Sequence, residues 1–379
     1  MKRKLFLGLA ALAALTITSC QKDLVINQIP EEQPIEFGTY VGRDAQTKAS
    51  VTDLDALKAS DKGFGVFAYY TTTADGFKTP FSDFSSNFMN NQQIKWNTTK
   101  SVWEYQPEKF WPNNTNDKLS FIAYAPYNNT LTINGSCETS ITVPEDATNH
   151  VDFVYATDGT SDATNELINV SKQLVGGKVN FNFNHAMSRV GFKVDAVIDQ
   201  SSEQVNGATD IDKSSPNENA IATGTTISVE SVTISGAFTN SATLNLMTGE
   251  WTLPNNANRS YTLSSTNNDF ESSVASAVTV DPQLLNTASE YLMLIPQSNV
   301  NVTISVTYKV TTTDGAITGN VVTTNNMSAT LNDFDFEQGK AYNFVLHLGL
   351  TSVKFAAEVT TWDNIGAGTD KVVNVPNNN

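Results

Sequence analysis

The feature that most constrains this chain is a strict alternation of polar and apolar residues. Lys178-Val179-Asn180-Phe181-Asn182-Phe183-Asn184-His185 alternates without a break. Val190, Phe192 and Val194 continue it after a short interruption. Asn301 to Val310 repeats the pattern, with Val302, Ile304, Val306, Tyr308 and Val310 in one row. Tyr342, Phe344, Leu346, Leu348 and Leu350 form another, and Phe64, Val66, Ala68 and Tyr70 a fourth. A period of two puts each row on one face of a strand. Only Asp53 to Lys58 and Asp281 to Asn286 read as short helical turns. Many strands parted by Gly, Asn and Asp turns predict an all-β chain of antiparallel sandwiches. The 379 residues suffice for about two domains at roughly 100–200 residues each. The division is expected near residue 176, where Gly176-Gly177 precedes a strong strand, giving domains over 49–176 and 177–362. Gln200 to Thr226 is polar, with Asn206-Gly207 and Pro216, and reads as a long surface loop of the second domain.

The N-terminus is an export signal. Met1-Lys2-Arg3-Lys4 is basic, and an apolar stretch follows from Leu5 to Ile17. That stretch is short of the roughly 20 residues needed to cross a bilayer and suits a signal peptide over residues 1–19. Ile17-Thr18-Ser19-Cys20 resembles a bacterial lipobox, in which the Cys is acylated and the signal is cut before it. Each buried methylene contributes about 0.8 kcal/mol, so several acyl chains on Cys20 would hold the protein to an outer membrane. An ordinary signal peptide that contains a Cys is the alternative. Gln21-Lys22-Asp23 resembles the short Lys/acidic tag that directs lipoproteins of the Bacteroidetes to the outer surface. Lipidation of Cys20 would leave Cys137 without a disulfide partner, and a small buried residue is the expected role for it.

Charge and motif content exclude several functions. Acidic residues outnumber basic ones 39 to 23, a balance of −16. Such a chain is a poor ligand for nucleic acid, whose affinity comes from Lys and Arg, and anionic lipid headgroups repel it. His150, His185 and His347 are scattered and read as structural histidines. Asp333, Asp335 and Glu337 alternate onto one strand face, which reads as a solvated edge ahead of a Ca²⁺ site. Asp210-Ile211-Asp212-Lys213-Ser214 begins like a calcium loop but has Ser215 and Ile221 where the Gly and the last acid belong. No P-loop, H-E-x-x-H, G-x-S-x-G or G-x-G-x-x-G occurs. No catalytic residue, metal or cofactor is therefore expected, and the protein is not read as an enzyme.

A run of aromatics carries a family resemblance. Trp96, Trp103 and Glu108-Lys109-Phe110-Trp111-Pro112 are followed by Phe121-Ile122-Ala123-Tyr124-Ala125-Pro126-Tyr127. Four further blocks follow in order: Val151 to Ala156; Phe181 to Val194 with its F-x-H-A-M-S-R-V core; Tyr291 to Gln297; and Gly339-Lys340-Ala341-Tyr342 running to Trp362. Together with Ile35-Glu36-Phe37, Thr47-Lys48-Ala49 and the lipobox, they resemble the fimbrillin-like family of Bacteroidales, the type V pilins. The resemblance implies two tandem transthyretin-like β-sandwich domains. It implies a lipoprotein precursor, cut after a basic residue near the N-terminus by a trypsin-like protease. Loss of the first strand then opens a groove that accepts a strand from a neighbouring pilin subunit, often its C-terminal tail, so that an adhesive fimbria grows.

The resemblance gives roles to residues that would otherwise read as surface. Of four arginines, only Arg43 lies between the lipid anchor and the first core strands, in a leader spanning 20–48; Lys48 is the other cut site weighed. Gln33 to Tyr40 would be the strand removed, with Ile35 and Phe37 pointing inward. The tail over 363–379 passes through Gly366-Ala367-Gly368 to a short β-prone stretch in which Val373 and Val375 alternate as in a donor strand. The competing reading is a binding module. In it the protein is a monomeric surface lipoprotein or pilus-tip adhesin that holds a host glycan or protein as its surface ligand.

Overall fold

The computed structural model describes residues 32–41, 54–59, 61–72, 85–157, 167–172, 178–196, 225–254, 259–264, 283–285, 291–313, 320–348, 353–361 and 371–374. Over these the chain is all-β, apart from α1 (Leu54–Ala59) and a 3-10 turn at Ala147–Asn149. The first sheet has the order β1 (Glu36–Val41), β8 (Lys178–His185), β7 (Val154–Thr157), β5 (Lys118–Ala125), β2 (Phe64–Thr71), β3 (Met89–Asn97) and β4 (Val102–Glu104). A second runs β13 (Arg259–Ser264), β10 (Thr225–Gly236), β16 (Gln297–Thr313) and β17 (Asn320–Phe336). A third, small one runs β12 (Trp251–Thr252), β11 (Ser241–Asn245) and β6 (Glu138–Thr142). The fourth runs β14 (Gln283–Leu284), β9 (Ser188–Ala196), β18 (Lys340–Leu348), β19 (Val353–Thr361) and β20 (Lys371–Asn374), with β15 (Leu292–Leu294) also on β9.

Alternation explains the layers. In β8, Val179, Phe181 and Phe183 are buried beside exposed Lys178, Asn180 and Asn184. Val302, Ile304, Val306 and Tyr308 of β16 pack in one core with Val190, Phe192 and Val194 of β9 and Tyr342, Phe344 and Leu346 of β18. The second and fourth sheets thus form the two layers of a sandwich. The first sheet surrounds a separate core of Ile35, Phe37, Phe64, Phe121, Phe181 and Phe183, against which Leu57 of α1 packs.

Several sequence expectations are corrected by the pairing. The row Phe64, Val66, Ala68 was read as one face of β2 and does enter a single core, but the opposite face is apolar too. Strand β2 and its neighbour β5 are buried on both faces: Phe67, Ile122 and Tyr124 enter the second core, while Phe64, Phe121 and Ala123 enter the first. Strand β8, which follows residue 176, belongs to the first sheet through β7 and β1, so the chain changes sheet at Ala186-Met187. Gly176 and Gly177 lie outside the described residues. Strand β6 lies early in the chain yet pairs with β11, Thr142 opposite Ser241 and Glu138 opposite Asn245. The ladders are antiparallel except for two, β1 on β8 and β18 on β9. Each parallel pair joins strands far apart in sequence, as the long crossover between parallel neighbours requires. The stretch Asp281 to Asn286 is not a helical turn: Gln283 and Leu284 pair with Val194 and Lys193 of β9, and Leu285 is buried. Burying Leu285 while residues 283 and 284 pair with β9 gains more than one isolated helical turn would.

Candidate functional site

The first strand is both the edge of its sheet and part of its core. Strand β1 pairs in parallel with β8, Phe37 opposite Val179 and Thr39 opposite Phe181. Ile35 is 1% exposed and Phe37 2%. The Phe37 ring stacks on Phe181 at 5.4 Å between centroids, lies 5.4 Å from Tyr105, and meets Phe121 edge-on at 6.1 Å and Phe64 at 6.4 Å. Its surroundings are therefore aromatic on every side the sheet offers, and edge-on geometry suits the ring quadrupoles.

The segment before β1 is held by the aromatic run. Pro34 bridges Phe110, the Ile35 N–H donates to Lys109 O at 2.9 Å, and the Trp111 N–H donates to Gln33 O at 2.9 Å. The Tyr105 hydroxyl donates to Ile35 O at 2.9 Å, and Trp103 Nε1–H donates to Thr39 Oγ1 at 3.0 Å. Burial pushes the Tyr105 phenol up to about 12, so it stays a donor at physiological pH. Without residues 33–41, the Trp111 N–H, Trp103 Nε1 and the outer ladder of β8 lose their partners, and the Lys109 carbonyl keeps only the Tyr105 hydroxyl at 3.3 Å. Trp103, Lys109 and Trp111 were singled out in the sequence as part of a family pattern, and Tyr105 was not singled out at all. Their spacing around Gln106-Pro107 is a local signal for a turn, but nothing local reveals which strand they hold.

At the other end of the chain, Lys371–Asn374 is an ordered strand. β20 pairs antiparallel with β19, Val373 opposite Ala357 and Lys371 opposite Val359. The β-prone stretch expected within a flexible tail thus forms a ladder with its own body. Cys20, Arg43, Lys48 and Val375 lie outside the described residues.

Other candidate residues are tied into structural bonds. His185 Nδ1 is 2.9 Å from the buried carboxylate of Asp152, and His347 Nδ1 is 2.7 Å from Asp195. His150 Nε2 donates to Pro144 O at 2.9 Å, and its Nδ1 accepts the Met293 N–H at 3.0 Å. Burial pulls its pKa down to about 4. Cys137 is fully buried, and its thiol is pushed up to about 12, mainly by desolvation. Asp333 has φ +51° at an irregularity of the β16–β17 ladder, and Asp333, Asp335 and Glu337 are all exposed, as a solvated edge requires. Asp335 Oδ1 accepts the Asn299 N–H at 2.9 Å. Among the described residues no three His, Cys, Asp or Glu side chains gather as metal ligands would. A cleft of about 910 Å³ lies along the free edge of β6, lined by Lys62, Asn128, Asn129, Ser140, Thr142 and Asn149 among others.

Comparison with known proteins places these features. No curated protein sequence matches the chain. A fimbrial protein from Bacteroides vulgatus has a similar structure, with TM-score 0.64 at 19% identity over 87% of this chain and 99% of that one. A candidate cell adhesion protein from Bacteroides ovatus gives TM-score 0.47 at 16% identity, over 87% of this chain and 98% of that one. A fimbrial assembly protein from Parabacteroides distasonis gives TM-score 0.38 at 12% identity, over 87% and 98%. At these identities the first likeness speaks for the fold alone. The family model described as fimbrillin-like matches residues 47–362. That match spans most of the chain, so the protein belongs to the fimbrillin-like family; Ile35, Phe37 and β1 lie before the matched range.

Proposed function

We propose that the protein is a structural subunit of a cell-surface adhesive pilus, exported as a lipoprotein through Cys20, cut after Arg43 and polymerised by strand exchange with other pilin subunits. Fimbrillin-like proteins are structural and not catalytic, and the family supports a pilus-type subunit at the cell surface. The observation that carries the finer reading is β1 with the residues leading into it: the strand lies at a sheet edge, yet Phe37 within it and Ile35 just before it are buried in the core. Losing two such side chains costs roughly 3–6 kcal/mol, at about 1.5–3 kcal/mol each. It also leaves a row of unpaired backbone groups, which is a template for another chain's strand. The segment with Val373 and Val375 is the proposed donor. To donate, it leaves β19, where it occupies a terminal position that no further strand among the described residues covers.

The test is limited digestion of the purified precursor with an Arg-specific protease. A new N-terminus following Arg43, together with a heat-labile, SDS-resistant ladder, is the expected result. A resistant Arg43, or a clean cut that leaves monomers, would overturn strand exchange. Those outcomes favour a second reading, a solitary surface binder or pilus-tip adhesin for a host glycan or protein. The cleft beside β6, lined by Lys62 and by amide and hydroxyl side chains, supports that second reading.

A further inference from the structure

The chain has four arginines. Arg3 and Arg43 lie outside the described residues. Arg189 is 2% exposed, with its guanidinium 4.4 Å from the Tyr291 ring centroid. Arg259, at the start of β13, is different. It lines a cavity of about 540 Å³ at the end of three neighbouring strands, with Ser260 beside it, Ser235, Gly236 and Ala237 of β10, and Asn299, Asn301 and Thr303 of β16. Ser260, Ser235 and Thr303 stand opposite one another in the ladders and so share a face.

One donor of the guanidinium is unmatched there. Its Nε is buried and has no hydrogen-bond partner. Among the described residues no carboxylate forms an ion pair with it. An unpaired buried donor costs about 1–3 kcal/mol, and more when it is charged, so an acceptor placed against it is strongly favoured. This happens in a chain whose balance is −16, where acids are abundant enough to pair most cations. The remaining wall is built of hydroxyls and primary amides. Asn301 is bonded through its oxygen, which accepts the Asp333 N–H at 3.2 Å, so its amide N–H donors remain available. Asp335 stands behind the wall with Oδ1 committed to the Asn299 N–H. No acidic side chain and no large apolar side chain lines the cavity.

We infer that this cavity binds the carboxylate of an acidic sugar. The planar fork of arginine matches a carboxylate with two parallel hydrogen bonds. Hydroxyls and primary amides match ring hydroxyls, whereas a peptide side chain would want the apolar wall that is missing. The volume falls in the range of small-ligand sites, about 300–1,000 Å³, and admits one or two sugar rings. The inference is independent of polymerisation: it applies to a subunit within a fibre and to a solitary protein alike.

The test is calorimetric titration of the purified full chain with methyl β-glucuronide, alongside methyl β-glucoside, sodium acetate and sodium sulfate. Saturable binding of the glucuronide is expected, at least tenfold tighter than the glucoside or either simple anion. Arg259→Gln should weaken it at least tenfold. Asn301→Asp keeps the acceptor for the Asp333 N–H but sets a negative charge against the ligand, and should weaken it as much. Lys100→Gln, at an exposed turn of the first sheet that lines neither cavity, should leave it unchanged. Equal affinity for the glucoside would remove the carboxylate from the inference, and equal affinity for acetate or sulfate would remove the sugar. Undiminished binding by both Arg259→Gln and Asn301→Asp would place the ligand elsewhere and overturn the site.

Discussion

Phe37 holds the first strand more than any other single side chain. Its ring touches four other aromatic rings at centroid distances between 5.4 and 6.4 Å. Phe37→Ala leaves a cavity that these flat rings cannot close, and large-to-small core changes of this kind cost about 3–5 kcal/mol. A urea titration followed by tryptophan fluorescence should show that loss. Glu36→Ala next to it should leave the midpoint almost unmoved, because Glu36 and Lys178 meet at 3.4 Å with both side chains largely in water. His150 carries a pH dependence. Its neutral ring accepts from Met293 and donates to Pro144, and burial holds its pKa at about 4 against 6.5 in an open chain. Because the folded value is the lower one, the stabilisation is complete above pH 6.5 and is lost as pH falls towards 4. The difference corresponds to about 3 kcal/mol at 1.36 kcal/mol per unit. Urea midpoints measured at pH 7, 5.5 and 4.5 should fall in that order, and His150→Leu should be weaker at pH 7 with a flatter slope. Phe37 could be read from the sequence as an inward residue, since Ile35 and Phe37 alternate. His150 could not, because its partners lie six residues back in a loop and across the sandwich at Met293.

Strand β1 gathers these residue energies into one edge element, the one that the proposed strand exchange would replace. Gln33 to Val41 contributes two buried side chains, a parallel ladder to β8 and four bonds to the aromatic run. A synthetic peptide of residues 33–41 should therefore rebind the groove after proteolysis. Added in excess during the Arg-specific digest, it should suppress the ladder, and the same peptide with Phe37→Asp should not, because a carboxylate cannot enter that ring cluster. If both peptides act alike, the groove left by β1 is not where subunits join. The alternating strands β8, β9, β16 and β18 were legible because each has one wet face or one mixed face that keeps a period of two. β2 and β5 were only half legible. Strands buried on both faces lose the alternation, and Phe64 to Ala68 or Phe121 to Ala125 reads as a continuous apolar run with no sign of two different cores.

For the whole molecule, pairing far apart in the chain decides what the sequence left open. Nothing within Glu138–Thr142 says that it will join Ser241–Asn245, and nothing in Lys178–His185 distinguishes the first sheet from the second. Loop closure over such distances is settled by the global packing and leaves no local mark. The consequence is that the two blocks read from the sequence are stitched together. Tyr124, Phe153 and Tyr155 of the first block sit in the same core as Phe192, Leu244 and Phe344. Trp251 Nε1–H donates to Ala186 O at 2.9 Å where the chain changes sheets, and Gln338 Nε2–H donates to the Tyr155 hydroxyl at 3.1 Å. Gly249 is the closest point of this seam. It has φ +76°, and a Cβ there would lie 2.0 Å from Tyr155 Oη, so only glycine fits both the backbone and the neighbour. Calorimetry of the intact chain should accordingly show one unfolding transition, with its van't Hoff and calorimetric enthalpies equal. Gly249→Ala forces the seam apart without touching either core centre, so it should lower that single midpoint by several degrees. Hydrogen exchange should then rise together in β5 and β18, which lie in different sheets. If Gly249→Ala instead splits the transition, with β5 protected while β18 opens, the shared core does not couple the blocks, and each folds by itself.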